Sequence, residues 1–151
     1  MALEVKPIKD GTVVDHIPAG KGLVVYTLLG GANGGQSVLL LNAKSPSMGK
    51  KDIVKLEDVF VSKERRDIIA LVAPDATINT IKGGKRVEKH KVGLPKTVQG
   101  YLKCLNPHCV TNAAREPLET SFTVSANPLR MRCDYCDKEY DERLVTQVPV
   151  V

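Results

Sequence analysis

Tryptophan is missing from this 151-residue sequence, aromatic residues make up only 4% of it, and no cysteine occurs before position 104. With so few aromatic faces on which bases could stack, a platform for single-stranded nucleic acid has little to build with. The longest unbroken apolar run, Ile68 to Ala73, is six residues, far short of the roughly 20 that a helix needs to cross a bilayer. No transmembrane helix is expected. Glu4, Lys6, Lys9 and Asp10 stand where a secretory leader would carry its apolar stretch, so no export signal is expected either and the chain is read as cytoplasmic. In such a reducing compartment, four cysteines gathered late in the chain point to metal rather than to disulfides.

What is present has ordinary globular proportions, 42% hydrophobic and 26% charged, which excludes wholesale disorder. Lys and Arg outnumber Asp and Glu by 22 to 17, a formal charge of +5. The excess is unevenly placed. Cutting the chain at the Lys91–Lys96 segment, interrupted by Gly93 and Pro95, leaves 16 basic and 10 acidic residues in 1–97, against 6 and 7 in 98–151. Two domains are expected: a basic one over 1–97, suited to an anionic ligand such as a nucleotide, and a near-neutral one over 98–151. The second is too small to be held by core burial alone and needs a staple.

Thr12 to Ile17 is rich in β-branched residues and stops at Pro18, so it reads as a strand with Asp15 and His16 near its end. Gly22 to Leu29 reads as a short helix, and Gly30 to Gly35 as a turn. Ser37 to Leu41 and Asp52 to Phe60 read as strands around a Pro46/Gly49 loop. Ser62 can cap a helix that carries Ile68, Ile69, Leu71 and Val72 and ends before Pro74. Ala76 to Ile81 and Arg86 to Val92 form a hairpin across Gly83-Gly84, because paired glycines supply the positive φ a tight turn requires. Strands and two helices mixed in this way make an α+β pattern. Beyond it, Thr97 to Lys103, Ser121 to Ser125 and Leu129 to Arg132 read as short strands among the cysteine loops.

Cys104 and Cys109, then Cys133 and Cys136, follow the pattern C-x4-C-x23-C-x2-C. Two turn-borne pairs separated by a hairpin-length spacer can bring four thiolates to the corners of a tetrahedron, the arrangement of structural zinc. A redox dithiol at Cys133 and Cys136 would leave the first pair unexplained. His108 is read as an exposed loop residue, since four thiolates already fill the shell. A closed shell has no open position for water, so one structural Zn2+ and no catalytic metal is expected. Its binding, worth on the order of 10 kcal/mol, would supply the staple.

No catalytic set emerges. Asp15 and His16 adjoin but have no nucleophile beside them. Gly30 and Gly35 are spaced like a phosphate loop, yet Gln36 stands where that motif needs lysine, and Val38 to Leu41 looks like a strand where it needs a helix. The chain is therefore not read as an enzyme. Basic residues do gather on the N-terminal strands: Lys50, Lys51 and Lys55 with Asp52, then Lys82, Lys85, Arg86, Lys89, His90 and Lys91 with Glu88. With Lys55 and Lys89 on neighbouring strands near His16, they would form a pocket for a polyphosphate, Asp15 accepting from ribose hydroxyls and Asn79 reading a base edge. The rival, a zinc-ribbon nucleic-acid binder, needs basic and aromatic residues around the cysteines. Instead Asp134, Asp137, Glu139, Asp141 and Glu142 make the second cysteine turn acidic, which suits a protein partner better than a phosphate backbone.

The segments Gly11 to Pro18, Met48 to Lys55 and Ala73 to Asn79, together with the cysteine pattern, closely resemble the regulatory chains of aspartate carbamoyltransferase. The resemblance implies a non-catalytic subunit with a ferredoxin-like allosteric domain of antiparallel or mixed sheet and two helices, and a small all-β, zinc-ribbon-like domain. Such chains dimerise and join catalytic trimers, and in them CTP, often with UTP, inhibits pyrimidine biosynthesis while ATP commonly activates it. By position, Asp15, His16, Lys55 and Lys89 match nucleotide-contacting residues of the family, Lys89 serving the triphosphate. Val5, Lys6, Ile8, Val13, Ile53, Asn79 and Ile81 match the base and ribose surroundings. Cys104, Cys109, Cys133 and Cys136 match its zinc ligands, and Asn106 and Lys138 fall on loops that face the catalytic chain.

Overall fold

The computed structural model describes residues 7–31, 34–115 and 118–146. By its internal contacts the chain divides between Gly93 and Leu94 into two compact units. The first runs β1 (Gly11–Pro18), α1 (Gly22–Leu28), β2 (Ser37–Ser45), β3 (Gly49–Glu57), α2 (Lys63–Val72), β4 (Thr77–Lys82) and β5 (Lys85–Lys91). Its sheet has the order β2-β3-β1-β4-β5 with every neighbouring pair antiparallel. The first four strands and two helices are thus the βαββαβ arrangement of ferredoxin-like folds, and β5 is added at one edge by a hairpin. Val14, Val54 and Ile78 lie side by side across the central strands and are buried, together with Val25 and Leu28 of α1 and Ile68, Ile69, Leu71 and Val72 of α2. The other sheet face carries mostly half-buried or exposed residues.

Local chemistry accounts for most boundaries. The Ser62 hydroxyl accepts the Arg65 N–H at 3.4 Å and starts α2, whose last turn closes on Ala73 before Pro74. Gly83 and Gly84 turn the β4–β5 hairpin at φ 61° and 77°. β2 continues to Ser45, beyond the expected stop at Leu41, because Leu41 and Asn42 bulge out opposite Asp52 and pairing resumes at Ala43. β3 correspondingly begins at Gly49, ahead of the expected Asp52, and ends at Glu57 because Asp58 turns into the left-handed region at φ 60°.

Asp52 sits between two such bulges and is fully buried. Its Oδ2 accepts the N–H groups of Gly20 at 3.0 Å and Gly22 at 2.9 Å, and its Oδ1 accepts that of Asn42 at 2.9 Å. One carboxylate from β3 therefore caps the start of α1, where Lys21 offers no side-chain cap, and satisfies a backbone donor released by the β2 bulge. A side chain at Gly22 would place its Cβ 2.8 Å from the Asp52 Cβ. Gly22→Ala is accordingly expected to lower the thermal midpoint, measured by calorimetry; an unchanged midpoint would contradict this packing.

The second unit has strands β6 (Thr97–Gln99), β7 (Ser121–Ser125), β8 (Arg130–Cys133) and β9 (Glu139–Tyr140), in that order in one antiparallel sheet, and a short helix α3 (Arg143–Thr146). β6 stops well before the expected Lys103, since Gly100 and Tyr101 take φ 72° and 62°. Among the described residues, Val98, Leu102, Phe122, Met131, Leu144 and Val145 are the buried apolar side chains besides cysteine. That is a thin core, with α3 supplying two of the six.

Candidate metal centre and ligand-binding sheet face

The cysteine pairs sit on two turns. In the first, the Cys109 N–H donates to the Asn106 carbonyl at 3.0 Å. The Asn112 amide reaches across this turn to the carbonyls of Cys104 and Asn106 at 2.8 and 2.7 Å. The second closes on Cys133 N–H to Lys138 O and Asp137 N–H to Cys133 O, with Asp137 left-handed at φ 63°. The hydroxyls of Ser121 and Thr123 donate to Asp134 at 2.6 Å and tie this turn to β7. His108 is exposed on the first turn, as expected, and the four sulfurs gather without it.

All four Sγ atoms lie within 4.8 Å of one another. The Cys104–Cys136 and Cys109–Cys133 separations are both 3.7 Å, which matches the edge of about 3.75 Å that a tetrahedron with metal–sulfur bonds of about 2.3 Å must have. Sulfurs this far apart are not disulfide-bonded. Donors converge on them. The Tyr140 hydroxyl lies 3.3 Å from Cys104 Sγ and the Thr111 hydroxyl 3.1 Å from Cys109 Sγ. Burial pushes the Cys133 thiol up to about 12 despite the N–H groups of Cys136 and Tyr135. Burial opposes ionisation of Cys136 too, but hydrogen bonds from the Lys138 N–H, the Asn106 amide and the Cys104 and Cys133 thiols together outweigh it and hold that thiol down to about 7. Asn106 and Lys138, the residues expected to face a partner, therefore belong to the turns that hold the sulfurs. Asn112, Thr111 and Tyr140 were not foreseen, and the only sequence signal for Tyr140 is an aromatic with a polar tip four residues beyond Cys136.

In the first unit, Val38, Lys55, Val13, Asn79 and Lys89 are directly opposed in one row across all five strands. Side chains alternate along a strand, so this row faces away from the buried Val14–Val54–Ile78 row. Ile53, Asp15 and Ile81 share that face by the same alternation. Ile8 precedes β1 and is half-buried, while Val5 and Lys6 lie outside the described residues. Lys55 and Lys89, expected from sequence on neighbouring strands, are on β3 and β5, which are not neighbours. β1 and β4 intervene, because β3 joins one side of β1 and the β4–β5 hairpin extends the other. Three strand spacings separate the two backbones by about 14 Å, so only their long side chains can bring both ammonium groups to one ligand.

At the end of this face β1 bulges, Asp15 and His16 together opposing Ile53, and His16 takes φ 60°. A non-glycine residue in that region is strained, and such strain is characteristic of sites where a side chain must be aimed. The His16 ring meets Thr77 Oγ1 at 3.2 Å. Asp15 accepts the His16 N–H at 2.6 Å and the Lys51 ammonium at 3.0 Å. Partial burial works to raise the Asp15 carboxyl, but the Lys51 hydrogen bond, the His16 N–H and the charges of both residues hold it below its ordinary 3.8. Its contribution to stability is complete above the unfolded value and is lost as pH falls through the lower folded one. Lys51→Met is expected to shift the Asp15 carboxyl titration upward when followed by NMR; an unmoved titration would contradict the pairing. Lys51 was legible only as part of a basic run, although it alternates with Ile53 and Lys55 on one strand face.

Asn79 stands in the row between Val13 and Lys89. Its amide Nδ2 donates to the Val13 carbonyl at 3.3 Å, and its Oδ1 is buried without a hydrogen-bond partner among the described residues. A buried acceptor left open on a charged sheet face is a place where a ligand N–H can be received. No helix of the described residues is long and apolar enough to cross a membrane.

A ferredoxin-like unit with an open basic sheet face, followed by a small sheet organised around four clustered thiols, defines a two-unit metal-binding chain. Residues 3–93 match the family model for the aspartate carbamoyltransferase regulatory chain allosteric domain, and residues 96–146 match that for the metal binding domain of the same chain. The chain belongs to the aspartate carbamoyltransferase regulatory chain family, whose members are regulatory and not catalytic. It is 51% identical over 144 residues to the regulatory chain from Pyrococcus horikoshii, covering 93% of each. It is 52% identical over 151 residues to that from Korarchaeum cryptofilum, covering 97% of this chain and 96% of the relative. The Sulfolobus acidocaldarius chain is 46% identical over 142 residues, with 93% and 87% covered.

Proposed function

We propose that this chain binds CTP and ATP, and UTP together with CTP, on the open face of its N-terminal sheet, and passes the effect to aspartate carbamoyltransferase catalytic trimers, so regulating pyrimidine biosynthesis. The observation that carries the reading is the buried Asn79 Oδ1, without a hydrogen-bond partner among the described residues, in the row between Lys55 and Lys89. Cytosine and adenine both carry an exocyclic amino group that this oxygen can accept from, and the two lysines supply point charges for phosphates. Asp15 and His16 stand near the ribose, and Val5, Lys6, Ile8, Val13, Ile53 and Ile81 line the base and sugar. Residues 1–97 form the allosteric domain and 98–151 the metal domain in this reading.

Cys104, Cys109, Cys133 and Cys136 would hold one Zn2+, which supplies folding energy and, in a closed tetrathiolate shell, no open position for chemistry. Asn106 and Lys138 meet the catalytic chain, and two regulatory chains pair within a cytoplasmic assembly. Control is linkage: a nucleotide that binds one quaternary state more tightly shifts the assembly toward it, by a coupling of typically about 1–3 kcal/mol. Titration calorimetry of the full chain with CTP is expected to show binding that Lys89→Ala weakens about 10-fold or more, the usual size for a charged hydrogen bond. Equal binding by the variant would remove Lys89 from the site, and no binding by the wild type would overturn the reading.

A further inference from the structure

We infer that the hydroxyls of Tyr140 and Thr111 are positioning groups for the metal, each donating one hydrogen bond to a thiolate of the first cysteine turn and so retaining charge on that sulfur. The inference rests on the reading of the four cysteines as metal ligands. Tyr140 closes β9 opposite Met131, and its hydroxyl lies 3.3 Å from Cys104 Sγ. Thr111, in the single turn of tight helix at 110–112, puts its hydroxyl 3.1 Å from Cys109 Sγ. A metal-bound thiolate carries no proton, so each contact forms only with the hydroxyl as donor and sulfur as acceptor. Four thiolates around a dication leave a net charge of −2 on a largely buried cluster, which is tolerable only when hydrogen-bond donors share it.

The two contacts also come from opposite ends of the unit's sequence. Thr111 lies two residues beyond its own ligand, whereas Tyr140 reaches from the last strand back to the first cysteine, 36 residues away. Tyr140 thereby ties β9 to the first turn through sulfur. Its removal as Phe keeps the ring and deletes only the donor, and Thr111→Val is nearly isosteric.

The test uses the full chain loaded with Co2+ in place of zinc, and separately the rate at which the Zn2+-loaded chain surrenders its metal to a competing chelator. Losing a hydrogen bond raises the energy of sulfur lone pairs. Tyr140→Phe and Thr111→Val are each expected to move the sulfur-to-cobalt charge-transfer band to longer wavelength, with the tetrahedral d–d bands retained, and to release zinc about 10-fold faster, the low end of what outer-shell partners contribute. A charge-transfer band at the wild-type position in both variants overturns the inference, whatever the release rate. Absence of tetrahedral d–d bands in the wild type overturns the metal reading itself and the inference with it.

Discussion

Stripping the metal from the reduced full chain is expected to unfold residues 94–146 while the five-stranded sheet of residues 11–91 persists. Amide resonances of Phe122 and Met131 should lose their dispersion, and those of Val14 and Ile78 should keep it. The asymmetry follows from burial. The first unit packs two helices on its sheet, whereas the second has, among the described residues, six buried apolar side chains besides cysteine and depends on metal binding worth on the order of 10 kcal/mol. Cys133→Ser should have nearly the same effect, because burial holds the Cys133 thiol up to about 12 and the ion is what makes its thiolate stable. Since loading displaces those protons, metal affinity should fall as pH falls. A metal-free chain with dispersed resonances from both units would contradict this dependence.

Asp52→Ala is expected to be the most damaging single substitution in the first unit. The carboxylate is fully buried and accepts three backbone N–H groups, from Gly20, Gly22 and Asn42. Alanine leaves all three unsatisfied at about 1–3 kcal/mol each. With the part-buried Gly20 and Asn42 donors at the low end of that range, the loss, about 3–5 kcal/mol, is a large fraction of the roughly 5–15 kcal/mol that holds a domain together. Asn keeps the shape and one acceptor, so denaturant midpoints should fall in the order wild type, Asp52→Asn, Asp52→Ala. An alanine variant within about 1 kcal/mol of wild type would show that water replaces the carboxylate at little cost.

What could be read from sequence was what is decided locally. The β-branched run at 12–17, the Ser62 cap with Pro74 beyond it, and the Gly83-Gly84 turn each carry their own cause, and all three became the elements expected. The cysteine spacing likewise encodes two turns and a hairpin. Strand order is decided by partners distant in sequence, which is why Lys55 and Lys89 were expected side by side and stand on β3 and β5. Asp52 shows the same limit more sharply. Within Lys50-Lys51-Asp52 it looks like one more solvated charge, although alternation with Val54 and Leu56 puts it on the buried face; what periodicity does not show is the set of donors it meets there, from the start of α1 and the β2 bulge. β9 and α3 are too short for any pattern to announce, yet they bring Tyr140 to the metal turn and Leu144 and Val145 to the core.

Catalytic trimers reassembled with this chain provide the most direct measurement. Carbamoyl transfer is followed with and without CTP, once with the wild-type chain and once with Lys89→Ala. CTP should change the rate of the wild-type assembly and have a much weaker effect on the variant at the same nucleotide concentration. A CTP response of equal size in both assemblies, or none in the wild type, would contradict nucleotide control through the open sheet face.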